Sequence, residues 1–412
     1  MSLIQPFAGL RPAPGRAAEV AAPPYDVLNT AEARRLVAGR PWSFLHISRA
    51  EVDLPEDTDP YAPAVYAKAH ENLERMLAEG VLVRDPEPYY YVYRLIRGEH
   101  VQTGLVVSAS IADYDAGRIK KHEFTRPSKE DDRVRQIQAL DAQTGPVLLV
   151  HRATPDIDRT LATIVADEPP VVDVTAADGV RHQLWPIIGR GVIEHLTQAF
   201  ERLDSLYIAD GHHRSAAASR VAASRRCGDG EAAAESDPGF LAVVFPHDQM
   251  RILDYNRLVR DLNGLDVGSF LERLAVSFVI ESSAAPVAPE RPGVFGMYLQ
   301  AVWYRLTLSD SLPPAADPVA ALDVSRLQEH LLGPILGIQD PRRDDRIDFV
   351  GGIRGLAGLT ARVDSGEMAV AFALHPTRLE ELMAVADRGE VMPPKSTWFE
   401  PKLADGLVSL VL

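Results

Sequence analysis

The sequence predicts a mixed α/β fold of the α+β kind, on three observations. Short apolar runs alternate with helical patterns between Val147 and Ser219, as strands and helices do in α/β units. Hydrophobic residues make up 46% of the 412 residues and charged residues 25%, which is typical of folded globular proteins. Nowhere do 18 uncharged apolar residues follow one another, so we expect no membrane span.

Cap and turn residues set the element boundaries. Gly80 ends a pattern of helical period that starts at Tyr61. Gly98 lies between two apolar runs and predicts the turn of a hairpin. In chain order, the sequence predicts a helix from Asn29 or Thr30 to Val37, a helix over 61–79, hairpin strands over 89–96 and 101–111, a helix capped by Ser128, strands over 147–150, 171–174, 182–187 and 206–208, helices over 157–165, 191–202 and 215–218, and a second hairpin over 240–245 and 251–258.

One stretch predicts a domain boundary. Residues 228–238 combine glycine, serine and acidic residues, which is typical of a flexible boundary or a long surface loop. We therefore expect an N-terminal α/β domain over residues 1–235 and a C-terminal α/β domain over 236–412. The second domain is expected to contribute a Lys-Ser-Thr segment to the site of the first.

Charge and cysteine content exclude several partners. The formal net charge is −15, with 43 Lys and Arg against 58 Asp and Glu, and should repel nucleic acid and anionic membranes. We therefore expect neither as a partner. The single cysteine, Cys227, excludes an internal disulfide framework and fits a reducing cytoplasm. The oligomeric state has no signature in the sequence.

The strongest motif joins a predicted strand to a predicted helix. Between them lie Asp210, Gly211, His212, His213 and Arg214. Glycine lets a ligand approach the backbone, the helix start offers unpaired amide groups, and histidine and arginine donate to phosphate oxygens. The motif therefore predicts a phosphate site; a structural turn is the alternative. Adjacent histidines rarely face one ion and no third ligand is evident nearby, so no metal site is assigned.

A second motif packs opposite charges densely. It runs from Lys120 to Arg126 and includes Lys121 and Glu123. A glutamate beside histidine and lysine can act as a general base toward a hydroxyl, while Lys121 and Arg126 neutralise a phosphoryl group. The alternative is a solvated turn before a capped helix.

A third motif lies near the end of the chain. Residues 392–402 contain three prolines, which stiffen the segment. A stiff segment that presents a lysine, two hydroxyls and an aromatic ring suits a ligand clamp, with Lys395, Ser396 and Thr397 on an anion and Trp398 on the substrate. A segment packed for stability alone is the alternative.

An early segment presents two further polar side chains. Pro23 and Pro24 enforce an extended backbone just before Tyr25 and Asp26. Because the extended backbone holds these two side chains rigidly, we expect them to bind the substrate.

Together these motifs resemble the bacterial and archaeal family catalogued as domain of unknown function 1015. The likeness extends over nearly the whole chain and rests on four segments: 23–27, 121–125, 209–214 and 393–402. The family name implies no activity.

A shorter resemblance implies a chemistry. Asp210 to Arg214 resemble the Asp-Gly-His-x-Arg nucleotide loop of free serine kinases, which have a ParB/sulfiredoxin fold and phosphorylate the serine hydroxyl with a nucleotide. The resemblance implies a ParB/sulfiredoxin-like element at this loop. It also implies His212, His213 and Arg214 on nucleotide phosphates, with Asp210 ordering the loop or a metal. Glu123 matches no motif of these kinases, and its role rests on its chemistry.

The leading hypothesis is a kinase that phosphorylates an alcohol group on a small metabolite, with free serine as the candidate acceptor. It uses ATP or ADP and magnesium, with Glu123, Asp210 and His212 as the candidate catalytic residues. A phosphoester hydrolase is one alternative, with Asp210 or His212 as nucleophile or metal ligand. A nucleotide-binding regulatory module without turnover is the other.

Overall fold

The computed structural model describes residues 2–228 and 239–412. They form two compact units, one of Met1–Met250 with Pro401–Leu412 and the other of Arg251–Glu400. Both combine strands and helices, which confirms the predicted mixed α/β class. The predicted boundary after residue 235 falls outside the described residues and stays a prediction; the two compact units divide after Met250.

The first unit is built on a mixed sheet. Its strand Leu206–Asp210 runs parallel to Ile119–Lys120 and antiparallel to Val147–His151. The strands follow one another across the sheet in the order Ile119–Lys120, Leu206–Asp210, Val147–His151, Phe240–Pro246, His100–Ala109, Tyr90–Arg97, Arg181–Ile187 and Val172–Thr175, with Ile4–Gln5 also paired to His100–Ala109.

The strand Phe240–Pro246 lies in the middle of this sheet. All its residues are buried, and its continuous apolar run fits a strand covered on both faces. It pairs parallel with Val147–His151 and antiparallel with His100–Ala109. The predicted hairpin of 240–245 with 251–258 is therefore wrong, because the partners of the first strand are distant in sequence and cannot be read from local turn residues.

Helices and a smaller sheet complete the first unit. The helix Thr30–Val37 is capped by Asn29, one of the two predicted starts, which forms a capping box with Glu32. The predicted cap Ser128 is wrong, because Arg126 occupies the cap position and Pro127 is the first helical residue. Proline suits this position, since a backbone N–H there would have no partner within the helix. The α-helices are Ala17–Val20, Thr30–Val37, Leu45–Ser48, Pro63–Ala78, Ile111–Asp115, Pro127–Leu140, Pro155–Asp167, Arg190–Glu201 and His212–Gly228. The 3-10 turns are Tyr25–Val27, Ala50–Asp53 and His247–Gln249. The strands of the smaller sheet follow one another in the order Leu82–Arg84, Gly9–Pro12, Ser409–Val411 and Ala142–Gln143.

The second unit has an antiparallel sheet with its own core. Leu258, Tyr298 and Trp303 pack beneath the helix Gly355–Asp364. Its strands follow one another in the order Phe278–Ser283, Val302–Leu308, Val294–Leu299, Val370–Ala373, Tyr255–Val259 and Ile347–Gly351, and Arg251–Leu253 pairs separately with Trp398–Glu400. The α-helices are Val267–Leu274, Pro318–Ala321, Asp323–Leu327, Gly355–Asp364 and Leu379–Asp387. A π-helical turn covers Gln328–Leu332, and a 3-10 turn covers Gly352–Arg354.

Over residues 2–228 and 239–412, none of the helices has the length and apolar character needed to span a membrane.

Candidate functional site

The strongest predicted motif forms a strand-to-helix junction. The strand Leu206–Asp210 ends at the motif, Gly211 has a φ of +99°, and the helix begins at His212. A Cβ atom at Gly211 would lie 3.3 Å from the Cα of Val147, so glycine is favoured by the backbone conformation and a side chain would crowd Val147. The two histidines and Arg214 therefore lie in the first helical turn, whereas the sequence placed them on a loop before Ser215.

Arg214 is surrounded by acceptors. Its side chain is only 10% exposed, and its Nη2 lies 3.2 Å from Oδ2 of Asp26 and 4.0 Å from Oδ1 of Asp210. Nη1 donates to the backbone carbonyl of Pro146. Burial works against the positive charge, but the nearby carboxylates outweigh it and raise the pKa of Arg214. Arg214 is thus a permanent cation that ties three segments together.

Tyr25 and Asp26 lie in this cluster, in the 3-10 turn Tyr25–Val27, and their role in binding substrate stays a prediction. Pro24 has an extended backbone, with φ −62° and ψ 144°. The Arg133 guanidinium lies 3.9 Å from the centre of the Tyr25 ring, and that of Arg214 lies 5.9 Å from it. Burial raises the pKa of Tyr25 to about 12, so its hydroxyl stays protonated at neutral pH.

Asp210 is paired with a lysine from the C-terminal residues of the chain. The Nζ of Lys402 donates to Oδ2 of Asp210 at 3.0 Å. Burial alone would raise the pKa of Asp210, but the charges of Lys402 and Arg214 outweigh it and hold that pKa well below its usual range. Asp210 is therefore ionised at neutral pH and holds two cations beside the helix start.

A further carboxyl group of this cluster, that of Asp405, is buried. Oδ2 of Asp405 accepts the backbone N–H of Tyr25 at 3.3 Å. Burial raises the pKa of Asp405 to about 7, although Arg214 partly opposes this shift. Asp405 therefore titrates near neutral pH.

The second predicted motif docks on the same helix start. Since Ile119–Lys120 runs parallel to Leu206–Asp210, the carboxyl ends of both strands meet at one edge of the sheet. The backbone N–H of His122 donates to Nε2 of His212 at 3.4 Å, and that of Arg126 donates to Nε2 of His213 at 2.9 Å. The two motifs are thus brought together in space.

The His122 and His212 rings meet edge to face, with centroids 4.5 Å apart. Burial lowers the pKa of His122 to about 4 and the pKa of His212 well below its ordinary value. Glu123 lies at their edge: its side chain is 48% exposed, and its Oε2 is 4.0 Å from Nδ1 of His212. The arrangement joins two neutral imidazoles to a solvent-accessible carboxylate.

Lys121 and Arg126 remain exposed beside this group. The Nζ of Lys121 lies 3.9 Å from the centre of the Tyr114 ring, which holds the side chain by a cation–π contact. Both cations can still reach an anion from solvent.

The third predicted motif is divided between the units. Lys395, Ser396, Thr397 and Trp398 belong to the second unit, and their role in binding a ligand stays a prediction. There, the Ser396 hydroxyl donates to the carbonyl of Pro393 at 2.6 Å, and the Trp398 ring lies 5.5 Å from the Tyr255 ring. These contacts are structural.

The sequence did not single out four residues that the structure brings to the cluster: His122, Arg133, Asp405 and Lys402. His122, Arg133 and Lys402 lie inside or beside the motifs, so the high density of charged residues there could have indicated them. Lys402 ends the third motif, in which the sequence predicts Lys395 as the anion-binding lysine. Asp405 had no local signal, because only folding brings it beside Tyr25.

Several solved structures show a weak similarity to this chain. Solved structures similar to it include a free serine kinase in complex with AMP, 15% identical, covering 72% of this chain and 86% of that chain with a TM-score of 0.35. SbnI with a C-terminal truncation, from Staphylococcus aureus, is 12% identical, with coverage of 72% and 84% and a TM-score of 0.37. A conserved hypothetical protein from Pyrococcus furiosus is 15% identical, with coverage of 75% and 96% and a TM-score of 0.34.

Similarities this distant carry no conclusion about activity, and no curated protein matches the chain. A family model does match, over residues 4–325. The chain therefore belongs to the family described as protein of unknown function (DUF1015).

Proposed function

We propose that the protein is a nucleotide-dependent phosphotransferase that acts on a hydroxyl group of a small metabolite, with free serine as the candidate acceptor. The observation that carries this proposal is the docking of the segment 120–126 on the start of the helix His212–Gly228. It places an accessible carboxylate, Glu123, beside a glycine-bounded helix start that suits phosphate.

The phosphate groups would bind at this helix start. The first amide groups of a helix lack partners within the helix and favour an anion. His213 accepts at Nε2, so its neutral ring carries the proton on Nδ1, which can donate to a phosphate oxygen. Lys121 and Arg126 add positive charge from the neighbouring segment.

Glu123 would act as the general base. It takes the proton of the acceptor hydroxyl while that oxygen bonds to the terminal phosphorus of the nucleotide and the bond to the bridging oxygen breaks. The products are the phosphorylated metabolite, the nucleotide shortened by one phosphate, and a protonated Glu123 that releases its proton to solvent. Its 48% exposure suits both substrate access and this release.

Asp210, Arg214 and Lys402 would position the helix start. Asp210 holds Lys402 directly, and Arg214 connects it to Asp26. Magnesium bound with the nucleotide would supply charge neutralisation at the phosphates. Its use stays part of the proposal, as do the cytoplasmic location and the absence of nucleic-acid partners.

Nucleotide binding is the first test. ADP, ATP and inorganic phosphate, each with and without Mg²⁺, should be compared by thermal shift, because a ligand of the native state raises its apparent stability. We expect a nucleotide to stabilise the protein and the double variant Lys121→Ala, Arg126→Ala to reduce that shift. Stabilisation by inorganic phosphate alone would contradict the use of a nucleotide.

The role of Glu123 is tested by turnover. We expect Glu123→Gln to lower phosphoryl transfer to serine or a related alcohol by about 100-fold or more, because the amide cannot accept the proton. Nucleotide binding should be retained. Glu99→Gln, an exposed carboxylate in the turn of the hairpin Tyr90–Arg97 and His100–Ala109, is the control. Unchanged turnover in Glu123→Gln would remove the general base from the proposal.

A phosphoester hydrolase is a second candidate, favoured by the two imidazoles beside the Glu123 carboxylate. Such a group of nitrogen and oxygen donors can hold a water-activating metal ion. Release of inorganic phosphate from a simple phosphoester without any nucleotide would favour this reading. Tight nucleotide binding with no product from any acceptor would instead indicate a regulatory module.

A further inference from the structure

Three potential metal ligands meet at the edge of the first sheet. His122 and Glu123 follow the strand Ile119–Lys120, and His212 opens the helix after the parallel strand. One ligand atom from each lies within 4.8 Å of the other two. Two imidazole nitrogens and one carboxylate oxygen are a donor set that proteins use for first-row transition metals.

His122 is prepared for coordination. Its side chain is 2% exposed. Nδ1 is buried and has no hydrogen-bond partner. In the tautomer that carries the ring proton on Nε2, Nδ1 therefore has a lone pair that no donor occupies. Such a lone pair is what a metal-ligating histidine offers to the ion.

His212 needs one change of tautomer. Its Nε2 now accepts the backbone N–H of His122 at 3.4 Å, a long and therefore weak bond. Coordination through Nδ1 would move the proton to Nε2 and open that bond. Nδ1 faces Oε2 of Glu123 at 4.0 Å, and ligand atoms bound to one ion lie about 3–4 Å apart. Because Glu123 is half exposed, its side chain can close that gap.

We propose that His122, Glu123 and His212 form a binding site for a divalent transition-metal ion, with zinc as the test ion. Nitrogen donors disfavour Mg²⁺, which prefers oxygen ligands and retains its waters. The three residues leave the remaining coordination positions to water or to a ligand oxygen. The site is defined by these donors alone and does not require the phosphotransferase reaction, in which Glu123 acts as general base only while it is not bound to the ion.

The test uses the full chain after treatment with a chelator. Zn²⁺ is titrated calorimetrically, and Co²⁺ is added separately so that its visible absorption reports nitrogen and oxygen ligation. We expect one ion per chain, unaffected by a large excess of Mg²⁺. His122→Ala should weaken binding by more than about 100-fold, and Glu123→Gln by about tenfold or more. Glu123→Gln alters an accessible side chain, so it keeps the test valid if His122→Ala does not fold.

His213→Ala is the matched control, because this neighbouring histidine lies outside the three-residue cluster. It should leave the zinc affinity unchanged. Absence of stoichiometric binding, or an affinity that is the same in Glu123→Gln and His122→Ala as in the unaltered chain, would overturn the proposal. The thermal shift with ADP or ATP is measured without zinc, so failure of nucleotide binding and failure of metal binding are distinguished.

Discussion

The guanidinium group of Arg214 lies among carboxylates and a carbonyl group, so its first role is to hold chain segments together. Its contacts join the strand-to-helix junction to Asp26 and Pro146. A resemblance to a nucleotide loop would assign this arginine to phosphates. That role of Arg214 stays a prediction, and the exposed cations Lys121 and Arg126 are the ones proposed above to bind phosphate from solvent.

Removing Arg214 should therefore affect stability before it affects binding. Arg214→Ala is expected to lower the free energy of unfolding by about 2 kcal/mol, since it leaves Asp26 and Asp210 without their shared cation. The value is reduced from that of a fully buried pair because both carboxylates are about a third exposed. Urea unfolding measures the change.

The control for this prediction lies on the same helix. Arg220 is 47% exposed and pairs with Glu130 and Asp131, so Arg220→Ala should cost less than about 1 kcal/mol. Equal losses in the two variants would show that Arg214 is no more than a surface ion pair.

At the scale of elements, the junction between strand and helix depends on one glycine. Gly211→Ala is expected to destabilise the protein by about 1–3 kcal/mol, because a side chain is strained at a φ of +99° and its Cβ would press on Val147. Thermal unfolding can be compared with that of Gly117→Ala. Gly117 has a φ of +79° with open space around it, so this variant reports the backbone cost alone.

A loss in Gly211→Ala no larger than in Gly117→Ala would mean that the junction can move away from Val147. It would also weaken the case for a rigid helix start at the proposed phosphate site.

Elements that depend on nearby residues could be predicted from the sequence, and those that depend on distant ones could not. The helix Thr30–Val37 has its capping box within four residues of its start, and the hairpin around Gly98 is closed by its own turn. The strand Phe240–Pro246 was recognised as a strand, but its partners begin at residues 100 and 147. The same reason explains why the loop motif was found while Asp405 was missed.

At the scale of the whole molecule, buried histidines should make the fold sensitive to acid. Burial lowers the pKa of His122, His151 and His182 to about 4, from an ordinary value of 6.5. The unfolded chain therefore binds protons between these values while the folded chain does not, and stability falls as the pH drops from 6.5 toward 4. Each of these histidines contributes on the order of 3 kcal/mol to the loss of folding free energy over this pH range.

Urea unfolding at several pH values checks this expectation. His182→Gln cannot titrate and should make the pH dependence shallower, whereas His70→Gln, at an exposed position, should not. Asp405 acts in the opposite sense. Because its pKa is raised, it stabilises the fold at a pH below the ordinary pKa of an aspartate, and this stabilisation is lost as the pH rises through about 7. A stability that is flat between pH 4 and 6.5 in both variants and the unaltered chain would contradict the buried, neutral state of these histidines.

The return of Pro401–Leu412 to the first unit has a consequence for how the chain matures. The second unit is inserted in the sequence of the first, and the strand Ser409–Val411 pairs with Gly9–Pro12 at the other end of the chain. During synthesis, Asp210 and Tyr25 leave the ribosome long before Lys402 and Asp405 exist. The charged cluster around the helix start can be completed only after the entire second unit has been made, so a chain interrupted in translation never presents the finished site.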